Sequence, residues 1–182
     1  RQIAAALGHR DGRHKNRAVI IATTVEDIAE RLACLSEGRD WPTSDHRAAP
    51  QLVVGTVRQR PKIAFTMTGQ GGQWWAMGRQ LLQADRTFRR IIEQFDQKFE
   101  PVAGWSVMAE LTADEATSRI DDAAITPAVM FAFQAGLADV WLDLGVEPDI
   151  VLGHSFGEVT AAYLARGITE HSVAKLVEQR GL

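Results

Sequence analysis

Apolar positions along this chain alternate between two rhythms. Short, largely apolar runs at residues 17–22, 62–67 and 150–152 read as strands, the second of buried type. Residues 52–57, Leu-Val-Val-Gly-Thr-Val, add a candidate edge strand. Between these runs the apolar residues return every three or four positions. Ile28, Leu32 and Leu35 mark a helix over 25–35, and Phe88, Ile91, Ile92 and Phe95 mark another over 85–99. Residues 125–144 are apolar almost throughout and read as a helix covered on two sides, with Pro127 in its first turn and Gly145 at its end. Residues 2–7, 77–82, 156–166 and 170–182 complete the predicted helices. Strands that take turns with helices predict an α/β fold whose parallel sheet gathers its chemistry at the strands' carboxyl ends.

Local signals sharpen the boundaries. Thr23-Thr24-Val25-Glu26 supplies a capping box for the helix at 25, and Asp85 and Thr169 are N-caps for the helices that follow them. Residues 38–60, with Trp41-Pro42 and Ala49-Pro50, have the composition of a linker. They divide the chain into a small α/β unit, 1–60, and a second unit, 61–182, read as an incomplete α/β-hydrolase-like parallel-sheet subdomain. Residues 101–122 are expected to be irregular with short helical pieces.

Composition narrows the classes. At 182 residues with 46% hydrophobic and 24% charged content, the chain can bury a substantial core. A net charge of −3 argues against a nucleic-acid partner. No apolar run reaches membrane-spanning length. The one cysteine, Cys34, excludes an internal disulfide framework, fits a reducing cytoplasm and sits on an apolar helix face as filler. No metal-ligating cluster stands out. The chain opens on Arg1 rather than methionine and its last helical pattern still runs at Leu182, so a longer polypeptide is expected.

Two stretches carry chemistry. Gly153-His154-Ser155-Phe156-Gly157 falls between a strand and a helix. G-x-S-x-G in that setting is a nucleophile elbow, a sharp turn with Ser155 exposed at its apex and the Phe156 N–H at a helix N-terminus. Gly153 and Gly157 flank the apex where side chains would collide, and His154 helps to orient the turn. Thr68-Gly-Gln-Gly-Gly-Gln73 also leads from strand to helix and presents backbone N–H groups to an anion. It has neither the lysine of a P-loop nor the spacing of a dinucleotide fingerprint, which excludes nucleotide binding. Trp74-Trp75 is expected to pack at the sheet edge. Past Gly167 the helix over 170–182 is expected to double back as an α-hairpin and bring Arg180 to the level of Ser155. None of the histidines His9, His14, His46, His154 or His171 is placed as a base for Ser155.

The Thr68–Arg79 stretch, the Gly153–Glu158 elbow and Arg180 together resemble the acyltransferase domains of modular polyketide synthases, relatives of malonyl-CoA:acyl-carrier-protein transacylase. The resemblance covers 61–182, and the unit before it resembles the ketosynthase-to-acyltransferase linker of such synthases. It implies that Ser155 carries the acyl group, that the backbone N–H groups of Gln70 and Phe156 form the oxyanion hole, and that Arg180 holds the free carboxylate of a malonyl-type extender unit. No bound cofactor is implied. The substrates would be an acyl-CoA and the phosphopantetheine thiol of an acyl carrier protein, with a ketosynthase domain on the same polypeptide as neighbour. Phe156 resembles the residue of malonyl-selective members, and methylmalonyl-selective ones typically carry glutamine there. Thr126-Pro127-Ala128 stands where the family usually has Gln-Pro-Ala. The family's catalytic histidine follows a small ferredoxin-like subdomain, and neither is present in these residues, so the chain alone is expected to be inactive or heavily impaired. A serine hydrolase or thioesterase, which shares the elbow, and a non-catalytic docking fragment remain as alternatives.

Overall fold

The computed structural model describes residues 14–39, 52–57 and 61–180, the Arg180 side chain apart. The helix expected at 2–7 and most of the linker lie outside them. Two compact units divide the chain at residue 61.

In the first unit, β1 (Asn16–Ile20) pairs antiparallel with β2 (Leu52–Thr56), Ala18 opposite Val54. The helix α1 (Val25–Ser36) follows β1. Its cap lies one residue later than the expected box: the Thr24 hydroxyl accepts from the Asp27 N–H at 3.1 Å. The buried face of α1 is also displaced. Cys34 is buried as expected, but Leu32 is half exposed and the guanidinium-bearing Arg31 is buried in its place. The long Arg31 stem covers apolar surface as a leucine would, while its head group faces Asp27 one turn earlier.

The second unit is helices around a parallel strand pair. β3 (Ala64–Met67) lies beside β4 (Ile150–Gly153), with Ala64 opposite Ile150 and Met67 opposite Gly153. At the amino ends the Asp149 carboxylate accepts from the Ile63 N–H at 2.8 Å. At the carboxyl ends the two following loops therefore emerge side by side. Helix α2 (Arg79–Ala84) starts later than the apolar pattern suggested, because Ala76 and Gly78 adopt φ of 67° and 77° and interrupt it. α3 (Arg86–Ala103) is capped by Asp85, which accepts from the Phe88 N–H, and runs through Pro101 to a left-handed Gly104. The proline falls in the last turn, where its missing N–H costs one helical hydrogen bond.

α3 buries Phe88, Ile91, Ile92, Phe95 and Phe99 against α5 (Thr126–Asp143). Each such side chain contributes about 2 kcal/mol of burial. Short α4 (Val107–Thr112) is fixed by the buried Asp96 carboxylate, which accepts from the Ser106 hydroxyl and the Val107 N–H, both at 2.6 Å. α5 is buried around most of its circumference, which explains its unbroken apolar sequence. Among the described residues no helix is long and apolar enough to cross a membrane.

α6 (Gly157–Leu164) follows β4, and α7 (Glu170–Arg180) follows a turn at Arg166-Gly167. The pair is not the self-packed hairpin expected. α7 packs chiefly on α3 and on α5, touches α6 only lightly, and is tied to α3 by the Lys98–Glu170 ion pair. Val173, Ala174 and Val177 face that core, where apolar burial favours the contact. Glu170 also accepts from the Tyr163 hydroxyl at 3.0 Å. Burial, with the Asp139 carboxylate, raises the Tyr163 pKa, so the phenol stays a donor.

Candidate active site

The turn after β4 is tight for a stated reason. Ser155 sits at φ 53°, a left-handed conformation uncommon outside glycine, and is exposed. The Gly157 N–H donates to the His154 carbonyl at 2.9 Å, and the Glu158 N–H donates to the Ser155 carbonyl at 3.1 Å. Two glycines make the turn possible. A Cβ on Gly153 would lie 2.4 Å from the Glu158 Cα, and one on Gly157 would lie 2.2 Å from the Met67 carbonyl oxygen. α6 thus starts directly against the end of β3. The Phe156 ring is buried at 5% exposure in the core and anchors the first turn of α6, leaving its backbone at the site.

The second loop closes on the first. The His154 N–H donates to the Met67 carbonyl at 3.0 Å. A Cβ on Gly69 would lie 3.2 Å from the Ser155 Cβ, so Gly69 adjoins the serine, with Gln70 next in the chain. Among the described residues nothing accepts from the Gln70 or Phe156 backbone N–H groups, and nothing hydrogen-bonds the Ser155 hydroxyl. The Ser155 hydroxyl thus stands open next to the first turn of α6, where a helix N-terminus favours negative charge.

The loop itself is tied down at several points. Gly71 donates to the Gln73 side-chain carbonyl at 2.8 Å, and the Gln73 amide donates to Asp121 at 3.3 Å. The Trp75 indole and the Arg79 guanidinium both donate to the Ala113 carbonyl, at 3.0 and 2.6 Å. Arg79 also stacks over the Trp75 ring at 4.8 Å. The tryptophans are not packed at the sheet edge alone: Trp74 meets Phe133 of α5 edge-on at 6.1 Å, while Trp75 reaches the end of α4. Thr126, where the resembled family has glutamine, is buried and donates to the Ile120 carbonyl at 2.7 Å, closing the turn before α5.

Sequence reading missed Gln134. This buried α5 side chain donates to the Thr68 carbonyl at 2.8 Å. A lone amide in an otherwise apolar helix was the available signal. Arg180 ends α7, its side chain outside the described residues. His171, at the exposed start of α7, and exposed His154 make no hydrogen bond to the serine. Among the described residues no group of histidine, cysteine and carboxylate side chains could hold a metal ion.

Comparison with known proteins gives the family. Residues 64–182 match the acyl transferase domain family, and the chain belongs to it. A highly reducing polyketide synthase of Penicillium soppii is 34% identical over 170 residues, spanning 91% of this chain and 6% of that protein. An erythronolide synthase of Saccharopolyspora erythraea is 31% identical over 179 residues, 98% of this chain and 5% of its own length. Among solved structures, the acyltransferase domain of the second module of the salinomycin polyketide synthase superposes with a TM-score of 0.76 at 31% identity, over 99% of this chain and 40% of that one. The acyltransferase domain from module 8 of the same synthase gives 0.80 at 27% identity, over 100% and 42%. The chain therefore spans a small fraction of the curated synthases and about two fifths of the solved acyltransferase domains. The α/β fold and the relatives make it an acyltransferase-type segment of the polyketide synthase class.

Proposed function

We propose that this chain contributes the acyl-carrying half of an extender-unit acyltransferase. The observation that carries the reading is the left-handed, exposed Ser155 at the start of a helix, set against Gly69 of the Gly-rich loop. In this reading the Ser155 oxygen attacks the thioester carbonyl of an acyl-CoA. The oxyanion of the tetrahedral intermediate takes hydrogen bonds from the Gln70 and Phe156 N–H groups. The carbon–sulfur bond breaks, CoA leaves as the thiol, and the acyl group rests on Ser155. The phosphopantetheine thiol of an acyl carrier protein then attacks the ester and restores the hydroxyl. No bound cofactor takes part. The serine proton needs a base, and none of the described side chains engages it, so a group brought to Ser155 from elsewhere completes the site. The first unit serves in this reading as the connector to a ketosynthase domain.

Arg180 would hold the free carboxylate of a malonyl-type donor through a two-pronged pair. Arg180→Ala is expected to lower kcat/KM for malonyl-CoA about a hundredfold while sparing acetyl-CoA, which has no carboxylate. An equal loss with both donors would instead argue against the anchor, and unimpaired ester hydrolysis would favour a hydrolase.

The direct test uses the polypeptide that bears this domain, labelled malonyl-CoA and a phosphopantetheinylated carrier protein. A malonyl mass increment on the Ser155 peptide, chased onto the carrier thiol, is the expected result. Transfer without any label passing through Ser155 would refute the proposal.

A further inference from the structure

Gln134 is the one amide in an eighteen-residue helix of otherwise apolar or small inward positions, and it is 8% exposed. Its Nε2 lies 2.8 Å from the Thr68 carbonyl oxygen and 3.2 Å from the Thr68 hydroxyl, across 66 positions of sequence. A carbonyl only accepts, so the NH₂ end must face the loop. The other end, Oε1, has no partner among the described residues, and the residue lines a cavity of about 490 Å³ together with Phe65, Trp74, Phe133 and Trp141.

What the amide holds matters more than what it stabilises. The Thr68 carbonyl is gripped from two directions. Gln134 donates to it from α5, and Gly157 closes on it from α6, where an added Cβ would come within 2.7 Å. Thr68 stands directly before Gly69, which touches Ser155, and two residues before Gln70.

We infer that Gln134 is a positioning residue for acyl transfer: its buried amide sets where the Gly-rich loop sits against the serine, and so where the Gln70 N–H points. This rests on the acyl-transfer reading above. The amide touches no substrate and acts through the Thr68 backbone.

Two readouts separate the clamp from the chemistry, both taken on the polypeptide that bears this domain. Gln134→Met keeps the volume and removes the donor. Amide hydrogen exchange at Gly71, whose N–H is held by the Gln73 side chain, should quicken while α5 and the unfolding temperature stay as in the wild type. With malonyl-CoA, kcat should fall about thirtyfold and KM stay unchanged, since a donor displaced by a fraction of an ångström loses its transition-state bond and not ground-state binding. Gln134→Glu supplies a second variant in case the first folds poorly. Its carboxyl can donate to Thr68 only when protonated, so its kcat relative to wild type should climb as pH falls, with burial raising the pH at which this begins. Unchanged exchange in the loop overturns the clamp whatever the catalysis. Quickened exchange with undiminished kcat overturns the positioning role. A wild-type protein that transfers no acyl group refutes the functional reading while leaving the exchange result to stand or fall alone.

Discussion

Ser155→Ala is expected to abolish formation of the acyl-enzyme and to lower acyl transfer by about 10⁴-fold or more. The oxygen that bonds the acyl carbon is gone, and no other hydroxyl or thiol stands at the turn: the neighbours are His154, Phe156 and the flanking glycines. The fold should be indifferent to the change, because the hydroxyl makes no hydrogen bond among the described residues. Ser155→Gly separates chemistry from strain. A Cβ at φ 53° costs about 1 kcal/mol, so the glycine variant should be equally dead yet more stable by about that amount. Intact-mass detection of the acyl-protein, with urea unfolding of both variants, checks the pair. An alanine variant that still gains an acyl mass on this segment would remove Ser155 from the mechanism. A glycine variant less stable than wild type would mean that the turn is not strained.

Gly157→Ala is expected to destabilise the second unit by about 3 kcal/mol or more and to abolish transfer as well. The added methyl would lie 2.2 Å from the Met67 carbonyl oxygen, 2.6 Å from its carbon and 2.7 Å from the Thr68 oxygen. All three are backbone atoms, unable to swing aside as the end of a side chain would. The end of β3 and the start of α6 must move apart, and that movement carries the Gln70 N–H away from Ser155. Gly72→Ala is the control: its methyl would meet only the Thr68 hydroxyl, at 3.9 Å, and should change stability by less than about 1 kcal/mol. Urea midpoints for the two alanine variants decide the matter. Equal midpoints would mean that the close approach of α6 to β3 is not a constraint on the fold.

The turn at Ser155 was legible because its causes are local. Strand, glycine, serine, glycine and helix lie within a dozen residues, and the collision that demands glycine at 153 is with its near neighbour Glu158, whereas the one at 157 is with distant Met67. The apolar face of α3 and the all-round burial of α5 were legible for the same reason: a periodicity, or its absence, is a property of a few consecutive turns. Reading failed where the outcome depended on a distant competitor. Leu32 was expected inside α1, yet Arg31 is the buried residue, since side-chain length and the position of Asp27 decided which face was covered. The helix expected from Met77 begins at Arg79, because the Trp75–Ala113 and Arg79–Ala113 hydrogen bonds hold the preceding turn in another shape.

By itself the amino-acid order determined the alternation of strands and helices, the sharp bend at Ser155 and the α/β class, all of which follow from sterics and periodicity within short windows. Tertiary packing alone decided that α7 lies chiefly on α3, where Val173, Ala174 and Val177 join the shared core. It alone decided that Gln134 meets Thr68, since 66 residues of separation carry no local signal. Short-range geometry is written into neighbouring residues. Which distant surfaces meet depends on the competition among all of them for the same buried space.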